Sequence, residues 1–115
     1  MPKKKQNANE QKSHDECVRE LAKELKSDNW TVKANLEGVE KPAMLGGFMP
    51  DIEATKKGCR NCICEVLTEK DFKGNKEAYI EFKNYCDEYD FHFYIVDKNG
   101  KHRQIDPNSF GKKEG

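Results

Sequence analysis

Long apolar stretches are missing from this chain: no run of about 18 apolar residues occurs, so no segment reads as a membrane-spanning helix. Net charge is missing too. The 21 Lys and Arg are matched by 21 Asp and Glu, so no global positive field marks the chain as a nucleic-acid binder, and such binding would rest on local basic patches. The opening "MPKKKQNANEQK" is basic but no apolar stretch follows it, so it does not resemble a secretory signal peptide, and a soluble, cytoplasmic protein is expected. Cysteine is present, but its odd count of five, in a chain with no export signal, argues against a disulfide framework and for reduced thiols.

At 115 residues there is room for one domain with a modest core. Charged residues make up 37 % and hydrophobic residues 35 %. Six Phe, four Tyr and one Trp supply enough large apolar side chains for a solvated globular domain rather than a disordered one. Residues 1–12 are polar, Lys-rich and without periodicity, and read as a flexible basic tail. The domain is expected over 13–106, and 107–115 as a second loose tail.

Ser13 followed by Glu16 forms a capping box, in which each side chain serves the other's backbone N–H. Cys17, Val18, Leu21, Ala22 and Leu25 then lie on one stripe, which predicts an amphipathic helix over residues 14 to about 26. "WTVKANL" alternates as a half-buried strand, and "EGVEKPAMLGG", with three Gly and a Pro, is a loop. Further strands are expected at about 48–55 and at "CICEVLT", about 62–68. A second helix follows from the stripe Ala78, Tyr79, Phe82, Tyr85, Cys86 and Tyr89, over about 75–89. The run "FHFYIV", residues 91–96, reads as a buried strand, and an Asn99-Gly100 turn leads to a short edge strand "HRQI". An early hairpin with later alternation predicts an α/β domain: a mixed four- or five-stranded sheet flanked by two helices.

The connection "KKGCRN" between the second and third strands reads as a hairpin turn. Gly58 is seven residues from Asp51 and seven from Glu65, so a hairpin centred there sets the two carboxylates directly opposite, with Glu53 facing Ile63 and Met49 facing Leu67. Opposed residues have Cβ atoms roughly 5 Å apart, close enough for two carboxylates to share one cation. A hard divalent ion such as Mg²⁺ takes one or two carboxylates and completes its shell with water and substrate phosphate. In phosphodiester hydrolysis it would activate water and neutralise charge on the phosphate oxygens, with a lysine positioning the attacking water.

Pro50-Asp51 on the second strand and Glu65 in "CEVLT" on the third, preceded by helix and strand and followed by helix and strand, resemble the PD-(D/E)xK, or restriction-endonuclease-like, nucleases. This superfamily includes archaeal Holliday-junction resolvases and small repair and defence nucleases. The resemblance covers about residues 13–97 and implies a restriction-endonuclease-like fold, Mg²⁺ or Mn²⁺ as cofactor, DNA as substrate, and a homodimer where two strands are cut. It implies Asp51 and Glu65 as metal ligands, the Val66 carbonyl as a further one, and Glu53 as a third acid on the same strand face. One departure stands out: the lysine two residues after the glutamate is Leu67 here. Lys56 and Lys57 fall at the far end of the hairpin, so Lys33 and Lys70 are the candidates to replace it, with Lys70 preferred. Resolvase-like members also use a glutamate from the first helix, and Glu20 and Glu24 lie at or beyond the edge of that helix's stripe. Without its lysine, the chain also fits a catalytically degenerate module that binds nucleic acid or a protein partner.

Cys59, Cys62 and Cys64 can be read as a partial metal or thiol site, yet alternation puts Cys62, Cys64 and Val66 on the face opposite Glu65, which is the packing reading. His14 falls in the first helix's apolar stripe and reads as a packed or capping residue. His92 and His102 have no partner identifiable from spacing. Tyr79, Tyr85 and Tyr89 read as core residues of the second helix rather than base-stacking groups.

Overall fold

The computed structural model describes residues 8–97 and 99–105. The first helix, α1 (Ala8–Ser27), buries Cys17, Val18, Leu21 and Ala22 as the stripe requires. It starts before the capping box, so Ser13 lies inside it. The residues ahead of Ser13 are fair helix formers, and Gln11 Nε2 donates to Asp15 Oδ1 at 2.9 Å across one turn. Its C-terminus closes where "SDN" predicts: Asn29 takes a left-handed φ of 67°, and the Trp30 amide returns to the Leu25 carbonyl at 3.0 Å.

Five strands follow: β1 (Thr31–Ala34), β2 (Ile52–Thr55), β3 (Cys62–Thr68), β4 (Asp90–Val96) and β5 (His102–Ile105). They form one mixed sheet in chain order, with β3 and β4 parallel and every other pair antiparallel. The β2–β3 hairpin pairs Ile52 with Cys64, Glu53 with Ile63 and Ala54 with Cys62. That register is centred on Gly58, which takes a φ of 82° in the turn, and one step further it sets Asp51 against Glu65. The expected second strand is shorter than 48–55. Pro50 has no N–H to give, the Asp51 amide is taken by a side chain, and Leu45 and Phe48 pair with each other instead. The expected Met49–Leu67 pair therefore lies beyond the strand.

The expected helix over 75–89 is α3 (Lys76–Tyr85), which leaves helical geometry early, at Cys86, and a further short helix, α2 (Glu69–Gly74), precedes it. A cap unnoticed in "TEKD" explains α2: Thr68 Oγ1 accepts the Asp71 amide at 3.1 Å. The parallel step from β3 to β4 is made through α2 and α3. β5 is turned back by Asp97, whose Oδ1 accepts the amides of Asn99 and Lys101 at 2.9 and 3.0 Å.

Every residue of β3 is buried because the strand is central and covered on both faces. Cys62, Cys64 and Val66 join Cys17, Val18, Leu21, Ile52 and Val96 under α1. Ile63 and Leu67 join Tyr79, Phe82, Phe91 and Phe93 under α3. Aromatic edges and faces interlock in the second layer: Phe82 meets Phe91 edge-on at 5.1 Å between centroids and Phe48 face-on at 4.7 Å. Among the described residues no helix is long and apolar enough to cross a membrane.

Candidate functional site

Asp51 stands at the open end of the β2–β3 hairpin, one residue before β2, and Glu65 in the middle of β3. They interlock through the backbone. The Asp51 amide donates to Glu65 Oε1 at 2.8 Å, and the Val66 amide donates to Asp51 Oδ2, also at 2.8 Å. Each carboxylate thus replaces a ladder partner that the end of β2 no longer supplies. The Asp51 carbonyl in turn accepts the Asn35 amide at 2.9 Å, tying the loop after β1 to the same point. Asp51 is 2 % exposed and Glu65 0 %, so the pair is enclosed, a setting in which carboxylates require hydrogen-bond donors.

A third side chain meets the pair. His14, on α1, is buried, with Nε2 3.2 Å from Asp51 Oδ2 and Nδ1 3.0 Å from Asp15 Oδ1. A neutral ring can donate to one of these carboxylates and an imidazolium to both. Sequence periodicity identified His14 as buried, but its partner is 37 positions away and no local pattern connects them. Helix α1 does reach the site, but through His14 and not through a glutamate. Glu24 is exposed, and Glu20 lies 3.9 Å from His102 Nδ1.

The acids make themselves felt on both faces of the sheet. Burial, then the charges of Glu20, Asp51 and Glu24, push the Cys17 thiol up to about 12. Burial, then Glu65 and Glu53, push Cys86 up to about 11. Glu53 is half-buried and faces Ile63 across the hairpin, as its register predicts.

Among the described residues, no lysine stands where the motif would put one. Leu67 is 0 % exposed and packs among Ile63, Tyr79, Phe82 and Phe93. Lys70 is exposed on the first turn of α2. Lys33 sits opposite Glu53 in the β1–β2 register, but its ammonium pairs with Glu40 at 3.3 Å. Lys56 reaches the Asp28 carbonyl at 2.8 Å and lies over the Trp30 ring, at the far end of the hairpin, and Lys57 is exposed there. A buried acid missed in the sequence, Asp71, lies on α2 six residues after Glu65.

Two carboxylates are donors of the type a hard divalent ion takes, the His14 imidazole is a softer one, and the three are drawn together around the Asp51 and Val66 amides. Among the described residues no group of three or more His, Cys, Asp and Glu side chains converges enough to hold an ion by itself.

The cysteines separate into two environments. All five are free thiols. Cys59 is exposed in the hairpin turn, whereas Cys62 and Cys64 are buried under α1, so the three do not form one cluster. Tyr79 packs edge-on against Phe93. Tyr85, expected in the core, is instead 61 % exposed, because α3 ends there and its ring lies against Gly46 on the loop before Asp51. No protein-family model matches the chain, and a search of curated proteins finds no match.

Proposed function

We propose that this chain is a divalent-metal-dependent nuclease domain of the PD-(D/E)xK type, hydrolysing DNA phosphodiester bonds at Asp51 and Glu65. The observation that supports it best is the interlock of Pro50-Asp51 with Glu65 and Val66 across the hairpin. It occurs within the order helix, three strands, helices, strand that the motif resemblance requires. Asp51 and Glu65 are assigned as ligands to Mg²⁺ or Mn²⁺, with the Val66 carbonyl beside them and Glu53 as the further acid. The bound ion would supply an activated water and charge neutralisation at the phosphate. His14 is a positioning residue that fixes the Asp51 carboxylate from α1, and Lys70 is the lysine offered by the element that follows Glu65.

A second reading retains the fold and drops the chemistry, leaving a module that binds nucleic acid or a protein. The complete burial of Leu67 in an apolar layer favours it, since the position of the motif lysine has been absorbed into the core.

Two measurements separate the readings. Titration of isotope-labelled protein with Mn²⁺ is expected to broaden amides around 51, 65 and 66 first; broadening elsewhere removes the metal assignment. Cleavage of branched, single- and double-stranded DNA with Mg²⁺ or Mn²⁺, lost in Asp51→Asn, establishes the enzyme. Metal binding at 51 and 65 without cleavage of any substrate establishes the degenerate module.

A further inference from the structure

Asp51 and Glu65 are both buried, yet a hydrated ion and a phosphodiester have to reach them from water. On the α1 side His14 stands against Asp51. On the other side Glu65 shares its strand face with Ile63 and Leu67, two residues away in either direction. Those two belong to the layer under α3, and the segment just ahead of Asp51 packs against that same layer through Leu45 and Phe48.

Residues 45–48 make a tight two-residue hairpin. The Leu45 amide donates to the Phe48 carbonyl at 2.7 Å and the Phe48 amide to the Leu45 carbonyl at 2.9 Å, with Gly46 and Gly47 between them at φ of 59° and 84°. Left-handed geometry at both central residues is that of a type I′ turn, which glycine adopts without strain. The pairing of Leu45 with Phe48 lies outside the five strands, so the turn is a stiff unit closed on itself rather than a rung of the sheet. Side chains seat it on α3. Phe48 stacks on Phe82 with ring centroids 4.7 Å apart and planes within 7°. One helical turn further on, Gly46 lies so close to the Tyr85 ring that a Cβ added there would stand 2.7 Å from it. Tyr85 is exposed, so this second contact is at the rim of the molecule. Only Met49 and Pro50 separate the turn from Asp51, and a turn that swings off α3 pulls directly on that acid.

We propose that the Leu45–Phe48 turn is a lid over the carboxylate site, latched to α3 by Phe48 on Phe82 and by Gly46 on Tyr85, and that metal and DNA enter when it lifts. This rests on the reading of Asp51 and Glu65 as the metal site. With the lid down, the two carboxylates are occupied by the Val66 and Asp51 amides; with it up, they meet water, cation and phosphate. Only the open form binds, so the apparent affinity scales with the open fraction, and weakening a latch raises it.

Amide exchange and Mn²⁺ titration on the full chain test the lid separately from the metal. Exchange of the Asp51 amide, whose acceptor is Glu65, reports opening with no ion present, and the amides of β4 serve as the control for global unfolding. Phe48→Leu keeps apolar bulk but loses the stacked pair, and should speed exchange at Asp51 and raise apparent Mn²⁺ affinity by about two- to tenfold. Tyr85→Ala, at an exposed position, should move both in the same direction. Gly46→Ala should do so as well, and by less when combined with Tyr85→Ala, which removes the ring the new methyl would meet. Unchanged exchange at Asp51 in Phe48→Leu and Tyr85→Ala, or exchange that quickens equally in β4, overturns the lid whatever the metal does. Faster exchange with a fall in Mn²⁺ affinity also overturns it, since the turn would then be helping to hold the ion. Faster exchange at Asp51 with no Mn²⁺ bound in any variant instead overturns the metal reading, and with it the lid's role in admitting an ion.

Discussion

Replacing Asp51 by alanine tests the centre of the structure independently of any catalysis. The carboxylate accepts the Val66 amide at 2.8 Å, inside a strand buried on both faces, and sits 3.2 Å from His14 Nε2. Truncation removes this acceptor from both groups. An unsatisfied buried amide costs about 1–3 kcal/mol, and the imidazole, which keeps Asp15 as partner, adds about 1 kcal/mol more, for an expected loss of about 2–4 kcal/mol. With a urea slope of about 2 kcal/mol/M, the middle of the usual range, the unfolding midpoint should fall by about 1–2 M. Asp51→Asn retains an oxygen able to accept from Val66 and should lose less than half as much. Urea titration followed by circular dichroism on the three proteins gives the comparison, and the His14→Ala, Asp51→Asn cycle gives the coupling of the two side chains. A loss below about 0.5 kcal/mol in Asp51→Ala, the range of an ordinary surface change, would refute the interlock as a stabilising element.

Leu67→Ala should cost about 2–5 kcal/mol, the usual range for emptying a fully buried leucine site, read as a fall in thermal midpoint. Leu67→Lys should also destabilise, but less when Mg²⁺ is absent than a fully buried ammonium would demand, because position 67 shares a strand face with Glu65; a spectrum of an unfolded chain would show that the charge finds no such partner. Thr68→Ala removes the cap on Asp71 and should cost about 0.5–2 kcal/mol, with hydrogen exchange accelerated in α2 first. Stability should decline at alkaline pH. Cys17 and Cys86 ionise later in the folded chain than in the unfolded one, so their contribution is complete below the ordinary thiol value near 9 and is lost as pH rises toward about 11 and 12. Cys86→Ala should flatten that decline in a pH series of thermal melts; an unchanged slope would mean that Cys86 is not its source.

Where the chain encodes structure by local repetition, the sequence was sufficient. Leu21 and Val18 identify the buried face of α1, the alternation of β3 separates Cys64 from Glu65, and Gly58 at the midpoint sets Asp51 against Glu65. Burial of a periodic face and the geometry of one turn are short-range matters, decided within a few residues. Failures came where a tertiary partner or a cap competed with the pattern. The stripe ending in Tyr89 predicted one helix, but Thr68 caps a further one, α2, ahead of it, and Tyr85 emerged into solvent where α3 stops. Pro50 and the side chain of Glu65 cut β2 short.

By itself, then, the sequence determined the elements, the mixed α/β character and the facing of two acids, because hydrophobic period and turn symmetry act locally. Only the tertiary structure decided which groups attend those acids. It brought His14 to Asp51, moved Lys70 out to solvent, and enclosed Leu67. Those outcomes depend on where α1 rests across the sheet and on how β4 and β5 stack beside β3. That placement is the sum of many weak contacts between distant segments, and no short stretch of the chain contains it.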